Sequence, residues 1–96
     1  MASIGSFLPD GDSYSGHIAT VALKAKAVFR PVRKNNEQAP DFRVFSGGVE
    51  IGAAWSMTSK AGRPYLSVKL DDPSFPAPIF CRLVKTDVDH RLVWNR

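Results

Sequence analysis

Scarce residues set the first limits. A lone cysteine, Cys81, rules out an intramolecular disulfide. With no CxxC and no cysteine–histidine cluster, the chain offers no structural zinc site. Histidine is nearly as rare, with only His17 and His90 present. A nucleophile–base pair oriented by a carboxylate therefore has few ways to form. GxSxG, HExxH and P-loop patterns are missing. No apolar run approaches the roughly 20 residues that a transmembrane helix needs. The opening MASIGSFLPDGD has neither the basic nor the long apolar region of a secretory leader. These absences lead us to expect a cytoplasmic protein that needs no cofactor, holds no metal and performs no catalysis.

Helical periodicity is missing as well. No stretch of twelve residues carries apolar positions at i, i+3, i+4 and i+7 without an interrupting Gly or Pro. Alternation with period two recurs instead. In PYLSVKL, Leu66, Val68 and Leu70 fall on one face and Tyr65, Ser67 and Lys69 on the other. In VEIGAAWSM the same rule puts Val49, Ile51, Ala53, Trp55 and Met57 on the core side. Glu50, Gly52, Ala54 and Ser56 are then left outside as a small-residue face. Further strands are expected at IGSFL, SGHIATVAL, AKAVFRPV, DFRVFS, PIFCRLV and RLVWNR. Turn-forming sequences separate them: PDGD, KNNEQAPD, SGG, SKAGRP, DDPSFP and TDVDH. SGG reads as a tight hairpin and SKAGR as a longer one, with Gly62 at positive φ.

About eight short strands imply an all-β fold, a single small antiparallel sheet closed or partly opened into an OB-like barrel, with a sandwich-like meander as the alternative. With 44% hydrophobic and 23% charged residues, the chain is too apolar to be disordered. Its 96 residues make one domain, 1–96. A chain this short buries only about two-thirds of its unfolded surface.

Acidic residues are absent from KAKAVFRPVRK, which holds Lys24, Lys26, Arg30, Arg33 and Lys34. On a chain of net charge +4, such a stripe points to an anionic partner, most often nucleic acid. The alternative is a solvated edge strand whose lysines block aggregation. With the apolar faces turned inward, the strands leave Arg43 and Phe45, then Arg63, Tyr65 and Lys69, then Phe80 and Arg82 outside. Cations that track phosphates, beside rings on which bases stack, are what single-stranded nucleic-acid binders need. The alternative here is a second apolar cluster formed by Phe45, Tyr65 and Phe80, covered by loops or a second subunit, with the small-residue face letting another layer approach.

The remaining candidates for chemistry read as structural. His17 alternates with Ala19 and Val21 and is expected to be half-buried, while His90 follows a turn and is expected in solvent. Asp71 and Asp72 are neighbours that point to opposite faces, and an aspartate before proline is a turn former. Cys81 alternates with Ile79 and Leu83 and is expected to be buried and inert. SFPAP cannot join a central strand, because proline donates no hydrogen bond, so it runs along an edge or crosses a barrel end.

APDFRVFSGGVEIGAAW, TSKAGRPYLSVKLDDPSFPAPI and the closing LVWNR resemble the small bacterial proteins grouped as domain of unknown function 736. The resemblance runs from IGSF to VWNR, nearly the whole chain. It implies a short cytoplasmic protein, often encoded on plasmids or other mobile elements, and it carries no catalytic residues to transfer. Proteins of that origin often handle single-stranded DNA or blunt a host defence nuclease or surveillance complex. The leading expectation is thus a non-enzymatic module contacting single-stranded nucleic acid or a nucleoprotein complex. The alternative is a protein-interaction module, either a homodimer or an inhibitor of such a host complex.

Overall fold

The computed structural model describes residues 2–20 and 24–94. Every expected strand is present: β1 (Ala2–Asp10), β2 (Ser13–Ala19), β3 (Lys24–Pro31), β4 (Phe42–Ser46), β5 (Val49–Thr58), β6 (Pro64–Leu70), β7 (Ile79–Lys85) and β8 (His90–Trp94). Val21 to Leu23, read from the sequence as the end of the second strand, lie outside the described residues. Each strand pairs antiparallel with the next, and β8 pairs with β1 to close the barrel. The expected small antiparallel barrel is therefore the fold, and it is fully closed. Its strand order is an uninterrupted up-and-down meander.

Short connections enforce that order. Gly47 and Gly48 alone link β4 to β5, with φ of 59° and 84°. Positive φ at both central residues gives a turn whose twist matches that of the paired strands. Gly62, at φ 79°, sits in the longer β5–β6 turn, where its N–H donates to the Ser59 carbonyl at 2.9 Å.

Eight strands enclose a space just wide enough for side chains to fill. Phe7 and Phe29 meet edge to face at its centre, with ring centroids 5.0 Å apart. Around them pack Ile18, Val44, Val68, Leu70, Leu83 and Leu92, all buried. Two such rings in a narrow interior leave little room elsewhere, so neighbouring positions must be small. A Cβ on Gly16 would lie 1.9 Å from the Ser6 carbonyl oxygen. One on Gly52 would lie 2.4 Å from the Lys69 carbonyl oxygen and 3.0 Å from Leu70 Cδ2.

Gly52 also corrects the reading of β5. Val44 of β4 pairs with Gly52, but Phe45 pairs with Glu50, so Ile51 is the extra residue of a β-bulge. The bulge reverses the alternation beyond it. Ile51 and Ala54, three apart, are 7% and 0% exposed, whereas strict alternation would put them on opposite faces. Gly52 and Ala54 line the interior beside Leu70 and Val68 of β6, and Ser56 continues the same face beside Leu66, exposed at the mouth. Ala53, Trp55 and Met57 face outward. The small-residue face expected outside is the inner wall.

The two ends of the barrel differ. Ile4, Phe75, Ile79 and Trp94 pack against the core at one end. Phe75 belongs to the proline-rich segment between β6 and β7, which crosses that end as expected. Asp72 shapes the crossing: its carboxylate accepts from the Ser74 N–H at 2.9 Å and from the Ser74 hydroxyl, and its carbonyl accepts from the Phe75 N–H at 2.8 Å. The Phe75–Pro76 bond, like every described peptide bond, is trans. Tyr14, Phe42 and His90 ring the opposite end, which is open.

Candidate nucleic-acid interface

Register decides which side chains meet on the outer wall. β3 is paired on one side with β2 and on the other with β4, so the basic segment is not an edge strand. Lys24, Lys26 and Arg30 project from its outer face and are exposed. Arg30 pairs directly with Arg43, Arg43 with Ala53, Ala53 with Lys69, and Lys69 with Phe80. One row across β3, β4, β5, β6 and β7 thus reads cation, cation, alanine, cation, aromatic. At about 4.8 Å per strand it spans roughly 19 Å. Like charges directly opposite each other are destabilising in a sheet. Glu50 relieves part of this repulsion by accepting from Arg43 at 3.2 Å.

The three expected stacking rings share this wall without forming one cluster. Phe80 is 65% exposed. Phe45 is half-buried beneath Arg30, whose guanidinium carbon lies 5.9 Å from the ring centroid. Tyr65 is half-buried beneath Arg82, at 5.2 Å. Tyr65 and Lys69 are four residues apart on β6, so about 13 Å separates Tyr65 from Phe80, Lys69's cross-strand partner. Two rings carry a cation over one face, which leaves Phe80 the freest stacking platform. Phe45, Tyr65 and Phe80 therefore do not pack into a single apolar cluster within this chain.

At the open end, Arg63, Tyr65 and Arg82 line a surface groove of about 680 Å³ between the β5–β6 turn and β7. Lys85 and the side chains of Ser59 and Thr86 complete its polar lining, with Asp87 as its only acid. A second cavity, of about 460 Å³, occupies the barrel mouth and shares Pro64, Tyr65 and Lys85 with the groove.

Charge is segregated between walls and turns. Apart from Asp10 and Glu50, every acid lies between strands. Ion pairs tie Lys34 to Asp41 at 3.3 Å, Arg43 to Glu50 and Arg91 to Asp89 at 3.0 Å. Among the described residues, Lys24, Lys26, Arg30, Arg33, Arg63, Lys69, Arg82 and Lys85 have no acidic partner within ion-pair distance. Lys34 therefore differs from its neighbours. Its partner Asp41 is anchored chiefly by the Ser56 N–H at 2.8 Å, which with Lys34 holds the carboxyl below its usual range. The same loop lays the Gln38 carbonyl on the Trp55 indole N–H at 2.9 Å, covering part of the β5 wall.

The candidates for chemistry separate. His17 stands exposed on the outer face of β2 opposite Lys26, not half-buried. His90 is half-buried at the mouth, 4.7 Å from the Tyr14 ring, not in open solvent. Burial, reinforced by the nearby Lys85 charge, holds its imidazole below the usual value. Asp71 and Asp72 lie at the other end of the barrel from His90, and β6 is four strands from β2 and His17. No acid–base constellation joins them. Cys81 is buried as expected, and burial pushes its thiol up to about 12.

Several contributors escaped the sequence reading. Trp55 was assigned to the core because the bulge at Ile51 leaves no simple mark. Lys85 shares the inner face of β7 with Cys81 and Leu83, and only its place at the open mouth accommodates a cation there. Tyr14, Phe42 and His90 converge only because β2, β4 and β8 all begin at the mouth. Gly52 opposite two large apolar strands was the available signal for the bulge.

Fold and surface together define a class: a small closed meander barrel with a filled interior and an unpaired cationic outer wall. Residues 3–96 match a family described as "Protein of unknown function (DUF736)", and the chain belongs to that family. Searches of the curated proteins and of the solved structures found no match.

Proposed function

We propose that this protein is a non-enzymatic module of the cytoplasm that binds single-stranded nucleic acid, alone or within a nucleoprotein complex, on the outer wall of β3–β7. The observation that carries the reading is the charge distribution: among the described residues, six cations without an acidic partner, Lys24, Lys26, Arg30, Lys69, Arg82 and Lys85, stand on strands, while all acids but Asp10 and Glu50 lie in the connections. A solvated barrel has no need to place Arg30 against Arg43. A polyanion lying across the row offsets that repulsion, and exposed Phe80 offers a face on which a base can stack for about 1–3 kcal/mol.

Fluorescence anisotropy with a labelled single-stranded oligonucleotide, over a salt series, tests this. If about five phosphates are engaged, log K falls against log salt with a slope of about −3.5. Replacing Lys26, Arg30 and Lys69 by Ala reduces that slope by about 2. Absence of binding at about 50 mM salt, where such contacts are strongest, refutes the proposal.

A protein partner, whether a second copy or a host defence complex targeted from a mobile element, is supported by the exposed apolar side chains Leu8, Val49, Met57, Phe80 and Val88 and by the rigid PSFPAP segment. The small-residue face that favoured it lies inside the barrel. Light scattering separates the readings, since a monomer that binds oligonucleotide leaves the dimer without a role.

A further inference from the structure

The groove and the mouth adjoin, and their chemistry is complementary. Three unpaired cations, Arg63, Arg82 and Lys85, converge on the groove, against one acid, Asp87. Elsewhere on the wall the cations stand in single file along the rows. A phosphodiester carries one negative charge, whereas a phosphomonoester carries about −1.5 to −2 near neutral pH. Three cations at one point suit the monoester better. Ser59 places a hydroxyl donor on the same groove, its oxygen accepting from the Arg63 N–H at 3.2 Å.

The mouth supplies the other half of a ligand. Tyr14 stands between His90, at 4.7 Å between ring centroids, and Phe42, at 5.8 Å. Leu66 and Leu83, both buried, form the floor, and Ser56 adds a polar group at the side. A cavity of about 460 Å³ with aromatic walls and a few polar groups has the size and composition of a small-molecule pocket. Lys85 and Tyr65 belong to both cavities, so one ligand can occupy both.

We infer that the mouth and groove form one site for a nucleoside monophosphate group, with the base among Tyr14, Phe42 and His90 and the phosphate on Arg63, Arg82 and Lys85. The group comes either as a free mononucleotide or as the phosphorylated end of a strand. The strand-end version rests on the nucleic-acid reading above, whereas the mononucleotide version does not.

NMR titration of the whole chain with deoxyadenosine monophosphate, deoxyadenosine and inorganic phosphate tests the site directly. The monophosphate is expected to shift amide signals of Tyr14, Ser56, Leu66 and His90 together with those of Arg63 and Lys85. It should bind at least tenfold tighter than the nucleoside or phosphate alone. The double variant R82Q/K85Q, with its spectrum otherwise unchanged, should lose that tenfold. In the second arm, an oligonucleotide with a terminal phosphate should outbind its unphosphorylated copy, and R82Q/K85Q should abolish the difference. Shifts confined to the outer wall, or equal affinity for nucleotide and nucleoside, overturn the inference. If oligonucleotides bind the wall while the mononucleotide leaves the mouth signals unmoved, this site fails and the proposed function stands. If the mononucleotide fills the mouth while no oligonucleotide binds, the site stands and the proposed function fails.

Discussion

Substituting Gly52 by Ala tests the inner wall where β5 closely approaches β6. The new methyl group would lie 2.4 Å from the Lys69 carbonyl oxygen and 3.1 Å from Leu70 Cα. These are backbone atoms of the paired strand, so no rotamer change relieves the contact and β5 must move away from β6. Overpacking of a filled core costs about 1–3 kcal/mol. Removing a glycine from a strand returns about 0.5–1 kcal/mol. The net loss is about 1–2 kcal/mol, which for a domain this size lowers Tm by roughly 5–15 °C. Ala53 is the control. It is one residue along the same strand but faces outward, so Ala53→Val adds a β-branched side chain to the wall and leaves Tm within about 3 °C, as surface changes do. Thermal unfolding followed by circular dichroism, checked by urea midpoints, measures both. Should Gly52→Ala prove neutral and Ala53→Val destabilising, the bulge at Ile51 and the inward small-residue wall are refuted.

Three other outcomes follow from the same structure. Hydrogen bonds from Ser56 to Asp41, from Ser74 to Asp72 and from Ser6 to Asp89 hold these carboxyls below their usual 3.8 in the fold, so their stabilisation is present above that pH and lost as pH falls through the folded values. His90, lowered from 6.5, acts in the same direction, because protonation favours the unfolded chain; Tm should thus fall first below about pH 6.5 and again below about pH 4, and a flat Tm between pH 7 and 3 contradicts this. Cys81, with its thiol pushed up to about 12, should react with a disulfide reagent at pH 8 only at the rate of unfolding, accelerated by urea; immediate labelling places it elsewhere. Phe75→Ala loosens the closed end and, scaled down from the cost of deleting a fully buried Phe, should destabilise by about 1–3 kcal/mol while oligonucleotide affinity on the wall stays unchanged.

What the sequence made legible followed the range of the interactions. Strand and turn positions rest on neighbours in the chain, and PYLSVKL or SGG carry that information within a few residues. The outward placement of Arg43, Tyr65, Lys69, Phe80 and Arg82 follows from alternation alone and is what the barrel displays. β5 was misread because its bulge is a property of the β4–β5 pair, where Phe45 meets Glu50 and Val44 meets Gly52. His17 and His90 were misplaced for a similar reason. His17 shares a face with Ala19, and burial of Ile18 between them turns that face outward, while the mouth around His90 exists only once eight strands close. The row from Arg30 to Phe80 is a matter of register, which no single strand encodes.

Barrel closure also shapes how the chain folds. Seven of the eight pairings join strands that follow one another, so they cost little loop entropy and form locally. The eighth brings Ala2 to Trp94, a closure that in the unpaired chain costs about 4 kcal/mol beyond a constant and that becomes feasible only after the local pairings have shortened the gap. That pairing gains its full return only when Phe7 and Leu92 meet the same core, which makes it the late, cooperative step. The seam between β1 and β8 is then where the barrel first comes apart. Amide exchange at Ser6 and Arg91 should report a lower opening free energy than exchange at Ala54 and Val68, on the far side of the ring.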